Sequence, residues 1–528
     1  MAVSTPTTLM PDGRRPDDII RKAVSAISLR AEYHPEFAHL THVFVDPGIT
    51  DQIMNTNPQI IYGRRGTGKT HVLTLLRESL TRKRAGQLAL YINLETLGSI
   101  ALLTRPDRPL QRRITLLYRD LLSRIHDEIL AFATDPDIEI PGRGFEALTC
   151  FADALRRTVL IDTKQTTTKS EEDSTKHRAN VGVSLAPTLG AQLSVGSESS
   201  RTGSTETGVS GRVEDDVHFL EVVQALSETL HECGITRLCL LLDEWSRVPL
   251  DLQPWLADFI RRSLLPTGKI SVKIAAVEYR ARFSEQLDRR HNVLGFELSG
   301  DIFTALNLDE QYVWARRRKQ MTDLFARILY SHLRSESGNV SGIENYLGTR
   351  HGITDATACV RRLFAGSRAF PELVRAGGGV PRDFLTVFTK AFFRAAQARR
   401  ETIDAAAVRE AGTEHYEDSK VLNVGEDEEK ILRLLLGECV GRRGHAIFLV
   451  SKRIETHPVL ESLVDYRLLH PVERSYRPDA MGLEAPFNVY SFDYGAYAHL
   501  MGTERAPLLS TSDARAGAAF FIADRLFG

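Results

Sequence analysis

The sequence predicts an α/β fold, a parallel sheet with helices on both faces, followed by an all-helical segment and a small C-terminal module. Three observations carry this. Short apolar runs (residues 59–62, 88–93, 238–242 and 270–277) alternate with helical patterns. A glycine-rich turn, Gly63–Thr70, joins the first run to a helix. From residue 310 onward the strand signal fades and helical periodicity takes over.

The order of elements follows from the pattern. Residues 1–18 read as a flexible leader, and 19–29 as a helix with Ile19, Ile20, Val24, Ile27 and Leu29 on one side. After an irregular stretch at 44–58 comes the strand QIIY, then a helix at 71–82 and the buried strand LALYIN. Residues 110–133 repeat Leu117, Leu121, Leu122 and Ile125 at helical spacing. Residues 163–212 differ in kind: they hold 18 Ser/Thr and 6 Gly, and read as an exposed hairpin or loop inserted into one domain. A helix at 218–231, the strand LCLLL, a helix at 255–265 and the strand ISVKIAAV complete the α/β part. Helical patterns at 310–333 and 383–400 make a second, helical part. Helices at 426–438 and 459–469, then strand-rich FNVYSFDYGAY, make a third. The expected division is a core at 19–309, a helical lid at 310–420, a module at 426–503 and a tail at 504–528.

Composition narrows the function classes. The 528 residues suffice for three or four domains and a sizeable core without a metal or disulfide staple. Lys+Arg number 67 and Asp+Glu 68, so a wholly basic nucleic-acid coat is excluded while local patches are not. Five scattered cysteines, none in CxxC spacing, offer neither a disulfide framework nor a zinc site and suit a reducing interior. The N-terminus lacks a secretory apolar region, and no apolar run reaches the roughly 18 residues of a membrane helix. A cytoplasmic protein with no membrane partner is the expectation.

Gly63–Thr70, GRRGTGKT, is a complete phosphate loop between a strand and a helix. Its glycines let the backbone N–H groups of Gly63, Arg64, Arg65, Gly66, Thr67 and Gly68 converge on phosphate oxygens. Lys69 would hold the outer phosphates of ATP and Thr70 would ligate Mg²⁺. The partner should be a carboxylate at the end of another buried strand. LCLLLDEW supplies Asp243 for the metal and Glu244 to activate an attacking water.

This order of phosphate loop, polar-ended strand, acidic strand, further strand and helical lid resembles AAA+ ATPases. The resemblance is greatest to the origin-recognition and replication-initiator branch and its prokaryotic relatives, some of them in defence. It covers about 43–420, and less securely 426–503. It implies that Asn93, ending LALYIN, restrains the catalytic glutamate. It implies that Arg382, in the turn Gly379-Val380-Pro381-Arg382, reaches the phosphates from the lid. It also implies an arginine from a neighbouring subunit, with Arg280, Arg282, Arg289 and Arg290 as candidates. The sensor position departs from the family: ISVKIAAV runs into Glu278, which phosphate would repel.

The C-terminal part resembles a winged-helix domain. There Arg442, Arg443, Lys452 and Arg453 would touch the phosphates of double-stranded DNA; such domains also bind proteins. Residues 361–400 carry nine Lys/Arg against two Asp/Glu. The sequence therefore predicts an ATP-dependent switch, hydrolysing ATP to control DNA binding or partner loading, as a homo-oligomer or with a partner ATPase or effector. The alternatives are a defence or signalling scaffold recruiting a protein effector, and a regulator that holds nucleotide without hydrolysis.

Overall fold

The computed structural model describes residues 18–27, 37–83, 86–98, 103–105, 107–156, 160–165, 209–213, 219–287, 293–297, 300–302, 304–314, 317–335, 342–477, 486–509 and 521–527. The 1–18 leader lies almost wholly outside them, as do Arg289 and Arg290.

The core is the expected α/β phosphate-loop fold. Five parallel strands, β1 (Gln59–Tyr62), β2 (Gln87–Asn93), β3 (Arg237–Asp243), β4 (Ile270–Ala276) and β5 (Thr304–Asn307), stand in the order β2-β3-β4-β1-β5. Strand β4 is buried along its whole length, as both faces of a parallel sheet must be when helices cover them. Helix Lys69–Lys83 covers the sheet with Val72, Leu73 and Leu76; helix Leu110–Ala133 buries Ile114, Leu117, Leu121 and Ile125 one turn apart. Strand β5, with the sequence TALN, and helix Gly142–Arg156 were not expected.

The described residues between 318 and 415 are mostly helical. Helices Arg318–Arg334, Ala369–Ala376 and Pro381–Gln397 meet through Phe325, Phe370 and Phe384, with Phe325 and Phe384 rings 4.8 Å apart. The C-terminal part pairs β6 (Ile447–Ser451), β8 (Phe487–Phe492) and β7 (Leu469–Tyr476) antiparallel, with β8 in the middle. Helices Glu426–Leu436 and Pro458–Asp465 pack against each other beside it. The segment expected as a tail returns to this sheet: Leu449 donates to Phe521 O and Ala523 to Leu449 O, both at 2.9 Å, covering the edge of β6.

Core, helical part and C-terminal sheet share one apolar cluster that includes Ile61, Phe384, Leu435 and Tyr494. These three stretches belong to one compact unit. Residues 156–218 do form a second unit. Its described part is an antiparallel pair, Leu160–Gln165 with Val209–Val213, in which Gln165 faces Val209.

Candidate nucleotide site

The phosphate loop leaves β1 at Gly63 and enters its helix at Lys69. Gly66 and Gly68 take φ of +87° and +95°, a region closed to most side chains. At Gly66 a Cβ would also stand 2.7 Å from the Cβ of Arg382. Lys69 is buried, and its ammonium donates to Gly63 O (2.8 Å) and Arg64 O (3.2 Å). Burial pushes it below the ordinary lysine value, against the pull of Asp243 and Glu244. Thr67 Oγ1 ties the loop internally by donating to Arg64 O at 2.8 Å.

Thr70 Oγ1 donates to Asp243 Oδ2 at 2.7 Å, although 173 residues separate them. Tyr91 donates to the same oxygen at 2.8 Å, and the Glu244 amide donates to Asp243 Oδ1 at 2.8 Å. Asp243 is fully buried and hydrogen-bonded at both oxygens. Glu244 turns off the strand in a left-handed conformation, φ 56°, which is uncommon for a residue with a side chain. Hydroxyl and carboxylate oxygens held together suit a hard ion such as Mg²⁺, so the residues present fit the expected metal.

Arg382 reaches the loop. Its amide donates to Gly66 O at 3.2 Å from the first turn of helix Pro381–Gln397, and its charge bears on Lys69. Arg65, half-buried, has Asp465, Arg280, Arg247 and Glu244 around it, and burial lowers its pKa.

The other expected residues have partners of their own around the site. Asn93 Oδ1 accepts from the Glu95 amide (2.9 Å), so this strand-ending Asn caps its own following turn. Arg247 stands between two carboxylates, its Nε 3.6 Å from Glu244 and 3.4 Å from Glu95. Arg280 is not free for a neighbour; it pairs with Asp465, which is buried. Arg282 is exposed, with its amide on Gln253 Oε1 and Glu461 nearby. Glu278 is neutralised by both guanidinium nitrogens of Arg474 and by Asn307 Nδ2 at 3.1 Å. The arginine that pairs with Glu278 comes from β7.

Of the four basic residues expected on DNA, Arg442 pairs with Glu438 at 2.7 Å and Arg443 lies 5.2 Å over the Phe521 ring. Lys452 and Arg453 are exposed on a one-turn helix. Helix Pro458–Asp465 contains no Lys or Arg and docks beside Glu278–Arg280. Sequence reasoning missed Asp309, Tyr91, Arg247, His470 and Arg474. Only Tyr91 and Asp309 had a local signal, a hydroxyl and a carboxylate at sheet-strand ends.

No family model and no curated protein matches the sequence. Among solved structures, the chain is similar to Cdc6p from Pyrobaculum aerophilum (13% identity over 91% of this chain and 94% of that one, TM-score 0.32). It is also similar to the Thermotoga maritima RuvB Holliday junction branch migration motor (10%, over 92% and 95%, TM-score 0.31). A third is the Aeropyrum pernix Orc1 protein in complex with DNA (12%, over 91% and 96%, TM-score 0.31). At such values the functional reading rests on the site itself.

Proposed function

We propose that this chain is an AAA+-type ATPase that uses ATP binding and hydrolysis as a conformational switch. The observation that carries it is the Thr70–Asp243 hydrogen bond at 2.7 Å, with Lys69 beside it in the loop and Glu244 following. The amides of Arg65, Gly66 and Gly68, with Lys69, would bind the β and γ phosphates of ATP, since the amides of Gly63, Arg64 and Thr67 are taken by Ala276 O, Asp309 and Arg64 O. Thr70 and Asp243 would hold Mg²⁺, which when bound neutralises phosphate charge. Glu244 would orient the attacking water and take its proton. Arg382 would bring the helical part onto the phosphates, so that nucleotide state changes its angle to the core. A homo-oligomer would add an arginine from a neighbouring copy, with Arg282 the described candidate.

ATP titration and phosphate release test this. Lys69→Ala should abolish ATP binding. Glu244→Gln should bind ATP while turnover falls by roughly 100-fold or more, the usual scale of a lost general base. Unchanged turnover in Glu244→Gln refutes the role given to that residue.

A second reading concerns the output. Helix Pro458–Asp465 is acidic and docked on the core, which favours recruitment of a protein partner over reading of DNA. Anisotropy of a labelled duplex with the chain and ATP at low salt discriminates. Tight binding that weakens steeply with salt supports the DNA-switch reading; its absence supports partner recruitment.

A further inference from the structure

The phosphate loop is wired to the C-terminal sheet through one buried side chain. Arg64, the second residue of the loop, is 5% exposed. Asp309 accepts from both its Nε (2.8 Å) and its amide (2.9 Å), Gly378 O accepts from one terminal nitrogen (3.2 Å), and His470 Nδ1 meets the other. Asp309 follows β5, Gly378 precedes the helix of Arg382, and His470 lies on β7. One side chain thus touches all three parts of the fold.

The wiring continues. His470 Nε2 contacts Asp493 Oδ2 at 3.0 Å, Lys420 Nζ stands 2.6 Å from the same oxygen, and Lys420 is also 2.9 Å from Asp383. Asp383 adjoins Arg382 and takes Arg467 Nε at 3.0 Å. All of these except Arg467 are buried.

The chemistry allows one arrangement. A guanidinium can only donate, so His470 Nδ1 must accept. An ionised carboxylate can only accept, so Nε2 must carry the proton. Burial and the Arg64 charge push His470 down to about 4, in keeping with that neutral form. Around a neutral imidazole the cations Arg64, Lys420 and Arg467 are matched by Asp309, Asp493 and Asp383. A buried network balanced in this way resists partial rearrangement, because any member left alone is a buried unpaired group.

The loop geometry depends on it. The Arg64 carbonyl is one of the two acceptors of Lys69. Moving Arg64 moves the acceptor that orients the lysine. Gly378 approaches the His470 ring closely: a Cβ there would stand 2.4 Å from it.

We propose that His470 is a positioning residue for nucleotide binding: it acts through Arg64 to set the phosphate loop, and makes the C-terminal sheet an internal clamp on the ATP site. The proposal rests on the ATPase reading given above. His470 meets Arg64, whose carbonyl is an acceptor of Lys69. Arg474 on Glu278 and Asp465 on Arg280 hold the same sheet and its helix against the core, one strand-end away.

The experiment is a double-mutant cycle on the full chain. Arg64→Gln, His470→Ala and their combination are titrated with a fluorescent ATP analogue and Mg²⁺. Amide hydrogen exchange is followed over Gly63–Thr70 and Gly378–Arg382 without nucleotide. Each single variant should weaken binding by roughly tenfold, the scale of one lost buried hydrogen bond. The double variant should be no weaker than the poorer single one. Both singles should speed exchange over the same two segments. His470→Gln, whose amide offers an acceptor and a donor, should recover most of the affinity. Binding within twofold of the unchanged chain in His470→Ala, or a double variant whose loss is the product of the singles, overturns the proposal. Should His470→Ala not fold, His470→Leu takes its place in the cycle. If the unchanged chain binds no ATP, the ATPase reading falls separately. The exchange footprints then still decide whether His470 positions the loop.

Discussion

Lys273 shows how strongly single residues are constrained here. It lies in the middle of the central sheet, fully buried, and its ammonium meets only amide oxygens, Asn55 Oδ1 at 3.0 Å and Gln59 Oε1. Burial lowers its pKa to about 8. Because the unfolded chain holds that proton more tightly, it binds more protons than the folded chain between pH 8 and the ordinary lysine value of about 10.5. Stability therefore rises with pH across that window, and the full cost is present below it. Replacement by an apolar side chain of similar length removes the cost. Lys273→Met should be more stable at pH 7 by on the order of 1–3 kcal/mol, and the gain should shrink toward pH 10.5. Urea unfolding of both proteins from pH 7 to 10.5 measures it; a gain that does not change with pH means Lys273 is charged in the fold without penalty. Individual side chains of the site were legible where chemistry and motif coincide, as at Lys69, Thr70 and Asp243. Arg64 was legible only as a loop residue. Its partner His470 lies 406 positions away, and no local pattern encodes such a contact.

At the scale of elements, the meeting of the phosphate loop with helix Pro381–Gln397 is the tightest point of the site. Gly66 serves two needs there, a positive φ and a 2.7 Å approach of its would-be Cβ to Arg382. Gly66→Ala strains the loop by roughly 1–2 kcal/mol and pushes the helix start away. ATP affinity should fall by at least about tenfold while the melting temperature drops by only a few degrees. Gly142→Ala, with open space around its Cβ and no positive φ, is the control and should bind ATP normally. Equal affinity in the two variants contradicts the role of this contact. The elements that were readable are those with strong periodicity or continuous apolar runs: β2, β3, β4 and helix Leu110–Ala133. β5 escaped because four residues, TALN, give too short an apolar run, yet this strand delivers Asn307 and Asp309 to the site. The short helices Ile343–His351 and Ala356–Leu363 escaped because two turns barely establish a period.

Over the whole molecule, near-zero net charge turns out to be local balance as much as an average of unlike parts. The basic run at 361–400 is partly neutralised by the next helix: Lys390 and Arg394 both pair with Glu414, and Arg394 reaches Glu410 at 3.1 Å. Arg361, Arg362 and Arg368 stay exposed on the surface. The apolar cluster binds core, helical part and C-terminal sheet into one body, which leaves residues 156–218 as the separate unit. That division has a direct consequence. Gln165 and Val209 are partners at one end of an antiparallel pair, and two such strands can be closed by a two-residue turn. A chain with residues 166–208 replaced by Asn-Gly should keep the hairpin and its whole large unit. Its melting temperature should stay within a few degrees of the full chain, because no residue of the shared apolar cluster is removed. ATP affinity should be unchanged, since every described group holding the phosphate loop lies outside the deleted segment. If the excised chain binds ATP but no longer assembles or captures a partner, the segment is an interaction element grafted on an intact switch. If ATP binding is lost with the fold intact, the site extends into residues 166–208, and the large unit is not sufficient for nucleotide.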